Sequence, residues 1–268
     1  MTRVTVCIPV RNGDNFLEQA LASIAMQTYP ADRVLVSDNA STDRTAGILE
    51  AWKRRLPLEV VRQPAPVSMV ENFNGLLDRV EDPFYMVLCH DDYLNAPDAI
   101  SSARAVLEAN SGVSAVYCDL AYVGEKRRRL ATRRFHRTGL FDADEAGRQS
   151  VLKTRNMFGI PLLVRRSALG PYRYDPAFRY GLDLDLSWQM SRLQPAWHIP
   201  RALMANRYHA GNSTWGGLGA ADEYFRLASK HGMRISPARR AQIRLRCWSV
   251  GQQRRLFGAY ERLVSRLG

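Results

Sequence analysis

Long apolar runs are missing from the sequence. The best one, residues 84–89, stops at His90 and falls far short of the ~20 residues that a membrane-spanning helix needs. Cysteine is also scarce, because the four cysteines are scattered through 268 residues with no CxxC pair, which excludes a disulfide-rich small domain. The N-terminal segment runs into an apolar strand without a cleavage site. These features predict a cytoplasmic protein with reduced thiols.

Acidic residues are scarce only in the C-terminal part of the chain. Residues 226–268 hold 11 Lys and Arg against one acid, Glu261, whereas the remainder of the chain carries only +2 of the net charge of +12. Nucleic-acid binding through this arginine-rich tail is therefore one alternative function. Because the body is nearly neutral and has no RNP, zinc-finger or homeodomain pattern, we expect no nucleic-acid partner.

Apolar runs and amphipathic stretches alternate along the first part of the chain. Strands are predicted at residues 4–10, 33–37, 58–62, 84–88 and 113–118. The stretches between them include helical spacing of apolar residues at 69–80 and 99–109. Strand and helix in alternation predict an α/β fold, in which a mostly parallel sheet is covered by helices on both faces.

Polar residues directly follow three of these strands. They are Arg11 and Asn12 after the first strand, Asp38 and Asn39 after the second, and His90, Asp91 and Asp92 after the fourth. Ligands of such sheets bind beyond the carboxyl ends of the strands. These side chains should therefore meet at one site.

Asp91 and Asp92 are adjacent carboxylates at the end of an apolar strand. Like charges at this distance raise each other's pKa, and a divalent cation would relieve the repulsion. Mg²⁺ typically takes one or two carboxylates together with substrate phosphates. The alternative is that Asp92 caps the next helix and Asp91 is solvated.

Two other polar residues each have a functional and a structural interpretation. Asp38 could accept hydrogen bonds from a nucleobase or ribose, or it could form an Asx-turn. His209 follows Arg207 and Tyr208 and could ligate a metal or contact a phosphate, although a lone histidine more often has a structural role.

Asp183 and Asp185 lie where a helix is predicted to begin, near Asp183, with Leu184, Trp188 and Met190 packed inward. A carboxylate near a helix N-terminus is stabilised as an anion and can accept a proton from an alcohol. Capping of the helix is the alternative role.

Taken in order, these motifs resemble those of the inverting glycosyltransferases of family 2, over about residues 3–215. Residues 4–12 are similar to the opening strand of that family, Gln27-Thr28-Tyr29-Pro30 to its Q-T/S-Y-P turn, and residues 36–43 to its V-D-D-G-S-T-D signature. Residues 71–76 are similar to the helix before the metal-binding strand, and His90-Asp91-Asp92 stands at the position of the Asp-x-Asp motif. Residues 181–188 are similar to the G-E-D-x-D-L-x-W segment. Ser37, Cys89 and Leu182 replace acidic residues of the family pattern.

The resemblance implies a GT-A fold, with a Rossmann-like sheet, and transfer of a sugar from a nucleotide-diphosphate sugar, with UDP-sugars favoured. The acceptor would be a hydroxyl of a glycan or lipid-linked molecule in bacterial surface polysaccharide or lipid-linked glycan synthesis, and the cofactor Mg²⁺ or Mn²⁺. By the same resemblance, Asp183 is the catalytic base. The other implied roles are nucleotide binding by Pro9, Val10, Arg11, Asn12, Asp38, Asn39 and Asp91, metal binding by Asp91, Asp92 and His209, and acceptor binding by Asp185 and Trp188.

We expect an organisation in three parts. Residues 1–115 would form the half of the domain that binds the nucleotide-sugar, residues 116–225 the half that binds the acceptor, and residues 226–268 a basic amphipathic helical tail. We expect this tail to lie on an anionic membrane, on the inner face of the plasma membrane, or else to pack on the domain. The basic segment 126–137 is predicted to be an exposed loop.

A sugar-phosphate nucleotidyltransferase is the rival enzyme class, because such enzymes also combine a Rossmann-like sheet with metal-binding carboxylates. The first turn of this chain, however, lacks the glycine-rich basic loop that holds phosphates in those enzymes.

Overall fold

The computed structural model describes residues 2–126, 128–135, 138–209 and 219–267, with Gly219 and residues 253–267 described by their backbone alone. In these ranges the strands are β1 (Val4–Val10), β2 (Arg33–Asp38), β3 (Leu58–Arg62), β4 (Phe84–Val87), β5 (Tyr93–Leu94), β6 (Ala115–Gly124), β7 (Arg129–Arg133), β8 (Gly139–Phe141), β9 (Pro161–Arg165) and β10 (Ala196–Tyr208). The helices are α1 (Leu17–Ala25), α2 (Thr45–Trp52), α3 (Met69–Leu77), α4 (Ala99–Ala109), α5 (Ala143–Lys153), α6 (Arg166–Leu169), α7 (Leu182–Leu193), α8 (Gly219–Lys230) and α9 (Pro237–Leu267).

All ten of these strands belong to one sheet. Its main order is β3-β2-β1-β4-β9-β6-β10-β5, with β7 added to β6 and β8 added to β10. Neighbours are parallel from β3 to β4 and between β6 and β10, whereas β9 runs antiparallel between β4 and β6. The predicted α/β class is confirmed, and the strands that pair antiparallel with their neighbours, β5, β7, β8 and β9, all follow β4 in the chain.

Two hydrophobic layers cover the sheet, one on each face. Alternate residues of β1 point to opposite sides, so that Val6 and Ile8 pack with α1, α2 and α4, while Cys7 packs with α3, α5, α7 and α8. Every residue of β1 is buried, as the continuous apolar run predicts. The layers hold the carboxyl ends of β1, β2 and β4 together at one edge of the sheet.

The C-terminal region is formed by α8 and α9. Helix α8 begins at Gly219, so the expected boundary at residue 226 falls inside a helix, and the boundary at 115/116 falls at the start of β6. Ile243 and Cys247 of α9 are buried in the second layer. The first half of the tail therefore packs on the domain, which was one of the two alternatives.

The basic segment 126–137 is not simply a loop. Its central part forms β7, which pairs antiparallel with β6. Residues 127, 136 and 137 of this segment lie outside the described residues. Across the part of the chain that the structure describes, no helix combines the length and the apolar character needed to cross a membrane.

Candidate active site

A cavity of about 870 Å³ opens at the carboxyl ends of β1 and β4. Of the residues predicted from sequence, it is lined by Pro9, Val10, Arg11, Asn12, Asn39, Asp91, Asp92, Asp183 and His209. These residues come from five separate segments of the chain, so the fold brings together most of the predicted site. Asp38, Asp185 and Trp188 do not contribute to its lining.

The loop after β1 shapes one end of the cavity. Asn12 has a left-handed backbone, with φ of 51°, and its amide donates to Ser41 Oγ at 2.9 Å while its Oδ1 accepts from the Thr42 amide at 2.9 Å. Gly13 follows, where an added Cβ would lie 2.6 Å from Cγ2 of Val10. The close approach requires glycine there, and the bonds fix the loop against the segment after β2.

Asp38 lies beneath this end of the cavity and is only 1% exposed. Its Oδ1 accepts from the Ser41 amide at 2.9 Å, and its Oδ2 lies 3.7 Å from Nε of Arg62. The turn alternative is therefore the observed one, and the expected direct contact with a nucleobase is corrected. The next residue, Asn39, lines the cavity and bonds through its side chain to both backbone groups of Val67.

The acidic cluster lies at the end of β4. One ligand atom each from Cys89, Asp91 and Asp92 lie within 4.8 Å of one another. Asp92 Oδ1 accepts from the Arg207 amide at 2.9 Å, and Asn206 Nδ2 donates to Asp92 Oδ2 at 3.0 Å, so β10 holds this carboxylate in place. The expected helix-capping alternative for Asp92 is not seen.

His209 is held beside the cluster by Asp91. Its Nε2 lies 2.9 Å from Asp91 Oδ2, and its ring centroid lies 4.8 Å from that of Phe16. The histidine predicted to help at a metal or phosphate site therefore stands next to the predicted ligands. Its ring orientation is fixed by a carboxylate, as is common for histidines at metal sites.

Burial and neighbouring charges set the pKa values in the cluster. Burial raises the pKa of Asp92 well above its usual range, and the charge of Asp91 raises it further. Burial also acts to raise the pKa of Asp91, but the hydrogen bond with His209 and the charges of His90 and His209 bring it below its ordinary value. The pKa of the Cys89 thiol is raised by burial and by the nearby carboxylates.

The donor atoms of the cluster test which ion it fits. Carboxylate oxygens are the ligands that Mg²⁺ and Mn²⁺ prefer, whereas softer ions prefer thiolates. The cluster offers carboxylate oxygens from two aspartates and one thiol whose pKa is raised by burial, so oxygen is its main ligand type. The residues therefore fit a hard divalent cation.

Asp183 is the second residue of α7 and lines the cavity. Burial raises the pKa of its carboxyl to about 6. In the described residues no donor is within hydrogen-bond distance of this carboxylate. It is therefore a carboxylate that exchanges protons near neutral pH and faces the cavity rather than capping the helix.

Glu223 of α8, which sequence reasoning missed, organises the chain before α7. Its carboxylate accepts hydrogen bonds from the amides of Arg179, Tyr180 and Gly181 at 2.9, 2.7 and 2.9 Å. Gly181 also approaches Leu227 of α8, where an added Cβ would lie 2.9 Å from Cδ1. Helix α8 thus sets the position from which α7, and with it Asp183, begins.

The expected acceptor contacts of Asp185 and Trp188 are corrected by their burial. Asp185 is 0% exposed, and its carboxylate pairs with Lys230 Nζ at 2.7 Å and with His231 Nε2 at 3.0 Å. Trp188 stacks on His231 with ring centroids 4.1 Å apart and donates through Nε1 to Asp144 at 3.1 Å. Both side chains tie α7 to its neighbours and are unavailable to an acceptor.

Other lining residues are not among the site residues predicted from the sequence. They include Tyr122, Arg133, Arg155, Asn156, Arg179, Tyr180, Tyr208 and Tyr224, together with Cys247 and Val250 of α9. No local pattern marked Arg133, because β7 forms through its pairing with β6. Position 250 carried no signal, because only the fold brings α9 to the cavity.

Known proteins resemble this chain in sequence and in fold. The model of the family described as glycosyl transferase family 2 matches residues 5–170. A curated relative, the poly(ribitol-phosphate) β-N-acetylglucosaminyltransferase TarS of Staphylococcus aureus, is 28% identical over 123 residues, which cover 42% of this chain. The match spans only 20% of the length of that relative.

Two solved structures share the fold. Residues 1–349 of S. aureus TarS in complex with UDP-GlcNAc superpose with a TM-score of 0.69 at 16% identity, covering 90% of this chain and 70% of that one. The mannosyltransferase PcManGT from Pyrobaculum calidifontis, in complex with GDP-Man and Mn²⁺, gives a TM-score of 0.62 at 20% identity, covering 93% and 70%. At these identities the similarity establishes the fold.

Proposed function

The chain belongs to glycosyl transferase family 2, and from this membership we propose that it transfers a sugar from a nucleotide-diphosphate sugar to an acceptor hydroxyl with inversion at the anomeric carbon. The observation that carries the proposal is that Asp91, Asp92 and Asp183 line one cavity. A single-displacement transfer needs a group that holds a metal ion and a base that accepts the acceptor proton. A pair of adjacent carboxylates can do the first, and a third carboxylate can do the second.

The nucleotide would occupy the end of the cavity formed by Pro9, Val10, Arg11, Asn12 and Asn39. This end is made largely of backbone and amide groups held rigidly by the turn after β2. TarS and PcManGT, which share the fold, bind UDP-GlcNAc and GDP-Man respectively. We propose a UDP-sugar as donor and the halves 1–115 and 116–225 as the donor and acceptor sides.

Asp91 and Asp92 would hold Mg²⁺ or Mn²⁺, with His209 beside them and hydrogen-bonded to Asp91. We assign direct contact to Asp91, because Asp92 is more deeply buried and its oxygens are already engaged by β10. When bound, the cation would neutralise charge on the diphosphate leaving group.

Asp183 would act as the general base. As the acceptor oxygen forms its bond to the anomeric carbon, the bond from that carbon to the diphosphate oxygen breaks, and its electron pair leaves with the nucleoside diphosphate. The acceptor proton passes to the carboxylate of Asp183. A base with a pKa near 6 is mostly deprotonated at neutral pH and can accept it.

The acceptor would be a glycan or lipid-linked molecule at a membrane surface. Helix α9 contributes Val250 to the cavity, while Leu245 and Trp248 of the same helix are 65% and 50% exposed. We call these three residues the α9 patch. Apolar groups on an arginine-rich helix beside a cavity suit an anionic membrane that presents its own substrate to the enzyme.

The proposal is tested with a panel of nucleotide-sugars incubated with Mn²⁺ or Mg²⁺ and then with EDTA. We expect one donor to be consumed with release of a nucleoside diphosphate, and EDTA to stop the reaction until metal is restored. Release of pyrophosphate, or consumption of no donor at any metal concentration, would contradict the proposal. The exposed control Asp222→Asn should behave as the wild type, since Asp222 lies outside the cavity.

A further inference from the structure

Part of the cavity wall is cationic and lies on the side opposite the proposed nucleotide end. Arg133 is the last residue of β7 and Arg155 follows α5 by two positions, and both line the cavity. The sheet order places β4 and β9 between β1 and β6, the strand to which β7 pairs. These two arginines therefore belong to the side of the cavity opposite Pro9 and Asn12.

The partners of Arg133 are all uncharged. Its Nη1 donates to the hydroxyl of Tyr122 at 3.2 Å, its Nη2 donates to the carbonyl of Asn156, and its guanidinium lies 4.4 Å from the ring centroid of Phe135. Its Nε is buried and has no hydrogen-bond acceptor among the described residues. A buried N–H donor on a positively charged side chain with no counter-ion is unfavourable unless a ligand accepts its hydrogen bond.

Arg155 also lines the cavity and lies near Arg133. Thr154, which ends α5 with a left-handed φ of 51°, turns the chain so that Arg155 and Asn156 reach the cavity. Burial and the positive charge of Arg133 lower the pKa of Arg155, which places the two guanidiniums in each other's field. In the described ranges neither arginine forms an ion pair with a carboxylate.

We propose that Arg133 and Arg155 form a subsite for an anionic group of the acceptor, a phosphate ester or a carboxylate. Guanidinium groups bind these oxyanions through paired, charge-assisted hydrogen bonds. The inference rests on the proposed function, because Asp91 and Asp92 already serve the donor diphosphate through a cation. The positive charges of Arg133 and Arg155, in the same cavity, are left for a second anion.

The test uses sn-glycerol 3-phosphate as the probe, with glycerol as its neutral counterpart. Each is titrated by calorimetry into the full chain saturated with UDP and Mn²⁺. We expect the phosphate to bind with UDP present and glycerol not to bind. The side chain of Arg155 makes no hydrogen bond to the described protein. The substitutions Arg155→Gln and Arg133→Gln should each weaken phosphate binding at least about tenfold.

Arg134→Gln is the matched control, because it removes the same charge one residue away from the cavity lining. It should bind the phosphate as the wild type does. Failure of the probe to bind with UDP present, or equal binding by the wild type and the two cavity variants, would overturn the subsite. UDP binding is measured first in each protein, and its absence from the wild type would contradict the proposed function instead.

A second arm assigns the anion to the acceptor or to the donor sugar. Hydrolysis of UDP-glucose and UDP-glucuronate is compared in the wild type and in Arg155→Gln. We expect the ratio of the two rates to be unchanged by the substitution. A selective loss of UDP-glucuronate hydrolysis would place the anion on the donor sugar and overturn the assignment to the acceptor.

Discussion

At the scale of single residues, the chemistry depends on Asp183. Its carboxyl has a pKa raised to about 6 because burial disfavours the charged form. A general base works only when deprotonated, so activity is present above this pKa and is lost as the pH falls through it. The burial that raises the pKa also makes the carboxylate a stronger base than a solvated aspartate.

We therefore predict that kcat/KM for transfer is level above about pH 7 and falls roughly tenfold per pH unit below pH 6. The measurement is a pH profile at saturating Mn²⁺, with protein stability followed at each pH by circular dichroism. A profile that stays level down to pH 4.5, with the protein folded, would contradict a role for Asp183 as base.

The sequence predicts most of the site at this scale, because polar residues at strand ends meet wherever the strands are parallel. Asp91, Asp183 and His209 line the cavity as expected. Asp38 and Asp185 do not, since a carboxylate after a strand or in the first turn of a helix can bond equally well to local amides or to a buried cation. Local sequence does not distinguish these partners.

At the scale of elements, the packing of α5 on α7 holds the second layer together. Gly147 of α5 lies directly against the indole of Trp188, and an added Cβ would overlap Cδ2 and Cε2 of that ring. Trp188 is fully buried and is fixed by His231 on its other face. The indole has no space into which it can move.

We predict that Gly147→Ala lowers the free energy of unfolding by about 1–3 kcal/mol, through overpacking. The matched control is Gly47→Ala in α2, where an added Cβ meets no atom within 4 Å. That control should raise stability by roughly 0.5–1 kcal/mol, because alanine is the better helix former. Urea unfolding of both variants gives the measurement, and equal effects would contradict the close contact.

The sequence predicts the strands and helices better before about residue 118 than after it. β1 and β3 match their predicted ranges, because continuous apolar strands alternate there with amphipathic helices. β7 was missed because its exposed, arginine-rich composition is that of a solvated segment. Its strand character comes from pairing with β6, which is information that no local pattern contains.

At the scale of the whole molecule, positive charge and exposed apolar groups gather on α9. Arg240 and Arg244 lie 4.8 and 5.6 Å from the ring centroid of Phe225, and Arg246 donates to the carbonyl of Leu152 at 2.9 Å. Part of the basic tail is thus used to attach α9 to the domain. Leu245 and Trp248 of the α9 patch remain exposed beside these contacts.

We predict that the protein sediments with vesicles containing phosphatidylglycerol and not with neutral phosphatidylcholine vesicles, and that added salt weakens the binding. Replacing both Leu245 and Trp248 with alanine should reduce the bound fraction severalfold. Met26→Ala is the control, since Met26 is 67% exposed but follows α1, which packs on the other face of the sheet. Equal binding by all three proteins would exclude the α9 patch.

The convergence of distant carboxylates on one bound donor is tested most directly with Asp183→Asn. We predict that this variant loses transfer by at least about 10²-fold, while its dissociation constant for UDP in the presence of Mn²⁺ stays within about twofold of the wild type. The two quantities are measured on the same preparation, by product formation and by calorimetry. Transfer at the wild-type rate, or loss of UDP binding together with transfer, would contradict the role given to Asp183.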